Sequence, residues 1–142
     1  MIGRRSALFS LTLALLSACG GPNSRLITVR TGGTSGAIDF AVKNATDAPI
    51  NAFYLAKTAS VDAADPNLSF DSPQGQDLWG PDLLSHSAIG AGVRMKVDVP
   101  EAGVWDARAL DREGRYQHIT GLHLAAGGRY ILELNDGGWR AK

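Results

Sequence analysis

The sequence predicts an all-β fold: a single antiparallel β-sandwich of about seven strands, immunoglobulin-like, with one long loop carrying a short helical turn. Three observations point there. Apolar and polar residues alternate at period two in several short runs, turn-forming clusters separate those runs at close spacing, and no long stretch carries the 3.6-residue periodicity of an amphipathic helix. Strand patterning does not show whether a sheet closes on itself, so a small β-barrel is the alternative.

Residues 26–30 open the series as a short β-branched run. In 37–44, Ile38, Phe40 and Val42 alternate with Asp39, Ala41 and Lys43, as in a strand with one buried face. Asn44 to Pro49 reads as a turn, because Asn and Asp side chains bond to nearby backbone and Pro49 pre-sets φ. Residues 50–57 are apolar on both sides around Phe53, Tyr54 and Leu55, the pattern of a central strand. The cleanest alternation lies in 93–99, where Val93, Met95, Val97 and Val99 face away from Arg94, Lys96 and Asp98. Residues 104–110 follow, and Asp111 to Gly114 has the composition of a hairpin connection. Runs 116–124 and 129–134, parted by Gly127 and Gly128, complete seven strands.

The exception is 58–92, which has little strand character and is too long for an ordinary connection. Within it, Pro81 suits the first position of a helical turn, and Asp82 complements the positive end of that turn. Trp79, Leu83 and Leu84 would then bury as a plug over one end of the sandwich. No Lys or Arg lies between Lys57 and Arg94, whereas Asp62, Asp65, Asp71, Asp77 and Asp82 all do. Such a segment is a solvated acidic loop, a face for a basic partner, or a set of hard oxygen ligands for a cation.

The amino-terminal segment has a different logic. Arg4 and Arg5 precede an apolar run, 7–18, that ends in Leu16-Ser17-Ala18-Cys19, a sequence resembling a lipobox in front of the single cysteine. Twelve residues are too few to span a bilayer as a helix, so the run reads as an export signal. The expected organisation is a signal peptide over 1–18, a lipidated Cys19 with a short tether over 19–24, and a β-sandwich over 25–142. Acyl chains on Cys19, at about 0.8 kcal/mol per buried methylene, would be the membrane anchor. The expected location is the bacterial cell envelope, at the periplasmic face of the outer membrane.

The whole chain is formally neutral, with 14 basic and 14 acidic residues; cleavage before Cys19 removes Arg4 and Arg5 and leaves 12 against 14. No excess of positive charge is available to grip nucleic acid or to form a polybasic membrane segment. Catalytic chemistry has little to draw on. There is no G-x-S-x-G elbow and no free thiol, and Ser85-His86-Ser87 places hydroxyls beside an imidazole only in sequence. His118 and His123 are five apart, so on one continuous strand they face opposite sides and share no metal. Gly32 to Gly36 is followed by no Lys and no helix, and reads as a turn. Asp106 and Arg108, two apart, share a strand face; if it is buried they pair with each other or with neighbours, and the alternative is a ligand-contacting pair beside the long loop. No catalytic residues, metal or cofactor are assigned. The candidate partner or ligand surface comprises Trp79, Asp82 and Asp77 with Trp139, which either folds back or stays exposed as an anchor. The expected function is that of a non-catalytic envelope module, structural or protein-binding; the alternative is a small-ligand or cation-binding lipoprotein using the acidic loop 58–93.

The motifs Asn44-x-Thr46, Ile50-x-x-Phe53-Tyr54, Trp79-Gly80-Pro81-Asp82-Leu83-Leu84 and Asp106-x-Arg108 with Asp111-x-x-Gly114 occur in that order. Together they resemble a family of small secreted bacterial β-sandwich domains, over about residues 37–134. The resemblance implies a fold and an exported location, and it implies no activity and no site residues.

Overall fold

A computed structural model describes residues 23–141. Cys19 and the leader lie outside the described residues, as does most of the tether. The chain forms strands β1 (Arg25–Arg30), β2 (Asp39–Ala45) and β3 (Ala52–Lys57), then helices α1 (Thr58–Ala63) and α2 (Pro73–Trp79). Strands β4 (Arg94–Lys96), β5 (Gly103–Leu110), β6 (Tyr116–Leu124) and β7 (Arg129–Asn135) follow, and a 3₁₀ turn, Asp136–Gly138, ends the series. The strands build two sheets, one ordered β1-β7-β2-β4 and the other β3-β5-β6. Each sheet ends in unpaired edge strands, so among the described residues there is no closed barrel.

The four-stranded sheet is mixed, a departure from the antiparallel expectation. β7 enters between β1 and β2, antiparallel to the first and parallel to the second along its whole length, from Asp39↔Arg129 to Ala45↔Asn135. Period-two alternation is identical for both pairings, which is why the pattern in the chain did not reveal it. β4 is also shorter than its alternation suggests. Val97 is buried and Val99 packs against the core as read, but Val93 is 48% exposed; the β2 ladder covers only Arg94, Met95 and Lys96, flanked by bonds from Asn44 N to Val93 O and from Val97 N to Phe40 O.

One core serves both sheets. Phe40, Val42, Leu132 and Leu134 from the larger sheet meet Phe53, Leu55, Trp105, Ala107, Leu122 and Leu124 from the smaller. The Phe40 and Phe53 rings, both essentially fully buried, sit 6.2 Å apart in a tilted arrangement. Burial of side chains of this size is worth about 1.5–3 kcal/mol each, which lets the domain do without disulfides. Asn44, fully buried, ties the neighbouring turn to the core: its Nδ2 donates to the carbonyls of Ala48 and Ile89, and its Oδ1 accepts from Thr46. This is the backbone-satisfying role that the Asn-x-Thr turn demands.

Where one helical turn was expected at Pro81, two helices form earlier in the chain. Pro73, not Pro81, occupies the first helical position; Ser72 is the N-cap and its hydroxyl accepts from Gly75 N at 3.0 Å. Gly75 must be glycine, because a Cβ there would strike the carbonyl oxygens of Ser69 and Phe70. Gly80, at φ 71°, ends α2, and Pro81 comes after the stop, where it cannot continue a helix.

The hairpin between β5 and β6 closes on a buried carboxylate. Asp111 accepts from the backbone of Glu113 and Arg115 and from Arg115 Nε at 2.7 Å. Burial pushes its pKa up, but the hydrogen bonds from Arg115 and Glu113 outweigh that and hold it below the usual carboxylate value. A carboxyl with a depressed folded pKa stabilises the native state above its unfolded pKa, and that stability is lost as pH falls through the folded value. Asp111→Asn is therefore expected to lower the melting temperature at neutral pH and to flatten the loss of stability below about pH 4. Melting curves of both proteins between neutral and acidic pH check this; parallel curves would contradict it.

Candidate functional site

The outward face of the smaller sheet is not bare. Tyr54, Asp106, Arg108, Tyr116 and His118 alternate with core-facing residues on β3, β5 and β6; residues 58–79 fold over them as a second layer, and the rest of the long segment returns to the core through Leu84 and Ile89. Tyr54 is the register partner of Arg108 on β3, and His118 is its partner on β6.

Asp106 fastens that layer. It is 1% exposed, yet three donors satisfy it: Thr58 Oγ1 at 2.6 Å and Gly121 N at 3.1 Å on Oδ1, and His118 Nε2 at 3.1 Å on Oδ2. A carboxylate only accepts, so His118 presents its Nε2–H to it. Thr58 is the first residue of α1, and Gly121 belongs to a bulge in β6. Trp105 pairs with Leu122 and Ala107 with Ile119, leaving Thr120 and Gly121 opposite Asp106. The extra residue requires φ 70° at Gly121, a value suited to glycine.

The same bulge corrects the reading of the histidines. The inserted residue restores the parity of β6, so His118 and His123 share a face. Their register partners, Arg108 and Val104, are four residues apart, about 13 Å along a strand, and the two imidazoles do not converge. Among the described residues, no group of three or more His, Cys, Asp or Glu side chains is placed to hold a metal ion.

Arg108 stands beside Asp106 on the same face; of the two expected arrangements, Asp106 takes its neighbours Thr58, His118 and Gly121 as partners and not Arg108. Its guanidinium carbon lies 4.1 Å from the centre of the Tyr116 ring, 4.6 Å from Phe70 and 5.9 Å from Trp79. Cation–π attraction of this kind is worth about 2 kcal/mol or more when water is excluded. Burial draws the Arg108 pKa below its ordinary value, while Tyr116 and Asp71 oppose that shift. Arg108 Nε is buried and has no hydrogen-bond partner. Tyr54, packed edge-on against Phe70 at 5.1 Å, has its pKa raised by burial and by Asp82 and Asp71, so it is neutral. Between this face and the layer lies a recess of about 330 Å³, lined by Phe70, Leu78, Trp79, Arg108, Tyr116 and His118.

Trp79 is buried, packing edge-on to His118 at 5.4 Å, so it is a wall of the recess and not an outer contact. Asp82 is half-buried and clamps backbone: its Oδ1 accepts from Phe53 N and from Leu84 N, both at 3.0 Å. It caps no helix; it joins the end of the layer to β3. Asp77 is exposed on α2. Trp139 folds back half-buried against the core, with the Arg115 guanidinium carbon 5.0 Å from its ring centre. His86 is exposed on a turn at φ 71°, away from this face. Phe70 and Tyr116 were not singled out for this role in the sequence; the available signal was the outward alternation of Asp106 and Arg108 on a strand whose other face is apolar.

No protein-family model, curated protein or solved structure matches this chain.

Arg108→Met keeps the length of the side chain and removes the charge that the three rings surround. The expected result is a loss of about 1–2 kcal/mol in stability and faster protease cleavage within 64–72. Limited proteolysis with mass-spectrometric mapping checks it, and an unchanged cleavage pattern would contradict it.

Proposed function

We propose that this chain is a non-catalytic bacterial envelope lipoprotein: a β-sandwich anchored by acyl chains on Cys19, whose folded layer 58–79 is the contact face for a basic envelope partner. The reading is supported above all by one observation. Asp62, Asp65, Asp71 and Asp77 are exposed on a layer that has no Lys or Arg of its own, and the layer is held in place by Asp106, Asp82 and the Arg108 cluster. An ordered acidic face offers complementarity at little cost in ordering entropy. Two sheets that share one core and leave their edges open favour the sandwich. For the described residues, no helix is long and apolar enough to cross a membrane, which is compatible with attachment through Cys19.

A second reading, binding of a small ligand, is favoured by the recess of about 330 Å³ with the half-buried Arg108 in its wall, a size within the usual range for ligand sites.

In-cell crosslinking separates these readings. Asp62→Asn, Asp65→Asn and Asp77→Asn combined are expected to abolish the crosslinked partner while leaving the melting temperature within about 1 °C, because these are surface changes. Unchanged crosslinking by a stably folded variant would remove the acidic layer from the account. Cys19→Ala is expected to abolish acylation and cleavage before residue 19, so that no processed, membrane-held form accumulates; normal processing and membrane association would overturn the anchoring.

A further inference from the structure

The neutrality of the chain hides a segregation of charge. On the four-stranded sheet, the face turned away from the core carries a row formed by Arg25, Glu133, Lys43 and Arg94, which are successive register partners across β1, β7, β2 and β4. The next row is apolar, Ile27, Ile131 and Ala41, and ends in Lys96. Beyond it, Arg129 and Asp39 are partners, and Val29, 51% exposed, borders them. Arg30, past a bulge in β1, is the other partner of Arg129, so six cations share this face with two carboxylates. Arg25 pairs with Glu133, and Asp39 takes both Lys96 and Arg129. Lys43 and Arg94 stand directly opposite one another, and among the described residues neither forms an ion pair with a carboxylate. Like charges opposite one another on a sheet destabilise it unless an anion lies over them. The face is shallowly concave, with a hollow of about 290 Å³ around Val29, Arg94, Lys96 and Arg129.

The position of the chain's exit adds a second observation. Ser24 bonds to the Gln117 side chain and accepts from Asn135 N, and Asn135 Nδ2 donates to Asn23 O at 3.0 Å. The chain therefore leaves the domain from a fixed point two residues before Arg25, on edge strand β1 of this sheet. Cys19 is four residues from Asn23, a reach of about 14 Å at full extension.

We infer that this basic face, with Ile27 and Val29 along its β1 edge, docks on the anionic phosphate headgroups of the bilayer that holds the anchor. The inference rests on the lipid anchoring proposed above. Cations at a bilayer surface add attraction that decays within a Debye length, and exposed apolar side chains among them sink toward the acyl boundary. This orientation turns the acidic layer on the other sheet away from the lipid, where a soluble or envelope partner can reach it.

The experiment uses the processed, acylated protein reconstituted in vesicles, with a reporter cysteine at Val29→Cys or, on the acidic layer, at Ala63→Cys, labelled by a membrane-impermeant maleimide. On vesicles containing phosphatidylglycerol, labelling at 29 is expected to slow at least about tenfold relative to phosphatidylcholine vesicles, with labelling at 63 unchanged. The protection should vanish at high salt and in Lys43→Gln/Arg94→Gln, a pair expected to melt no lower than the parent because a like-charge contact is relieved. Equal labelling at 29 on both lipids, with the protein still sedimenting with the vesicles, overturns the docking face and leaves the anchoring intact. Failure to sediment with either vesicle overturns the anchoring, and the docking with it.

Discussion

A buried carboxylate on an outward strand face is an expensive group, and Asp106 organises the structure around meeting its cost. Removed from water, an ionised carboxyl is tolerated only when donors surround it. Here the donors come from three places that would otherwise be independent: the start of the covering layer at Thr58, the bulge at Gly121 and the imidazole of His118. Through them the sheet, its bulge and the 58–79 layer become one cooperative unit. The position of His118 in turn fixes the Trp79 ring, and Trp79 with Phe70 and Tyr116 encloses Arg108.

This arrangement explains why some of the fold was legible in the chain and some was not. Alternation revealed the seven strands, because inward positions such as Phe40 and Val42 must be apolar wherever one face is buried. It was silent on neighbours: Val42 pairs with Leu132 in parallel register, and no residue type announces that choice. The helices of the layer were misplaced because Pro81 and Asp82 carry the same composition as a cap, whereas the effective signal was Ser72-Pro73. The fate of His118 was misread because a one-residue bulge reverses parity, and Gly121 was its only mark.

Of the candidate site, the sequence exposed the acidic run and Trp79 but not their relation. Asp77 lies on the surface while Asp82 is spent on backbone, a division that depends on tertiary placement. The basic face was equally hidden. Its cations come from four strands, and each sits at an alternate position beside apolar or acidic residues, so a linear count of charge averages them away. Folding separates what the composition mixes. The two faces so formed, one acidic and one basic, give the molecule a direction.

The central claim is that Asp106 joins the covering layer to the sheet without governing the core. Hydrogen exchange measured residue by residue in Asp106→Asn tests it most directly. The account requires exchange at least about tenfold faster at Gly121 and through α1 and α2, because two or more donors lose an ionised acceptor, with protection retained at Phe40, Leu132 and Leu134. Uniform loss of protection throughout the chain, or no change at Gly121 and α1, would contradict it.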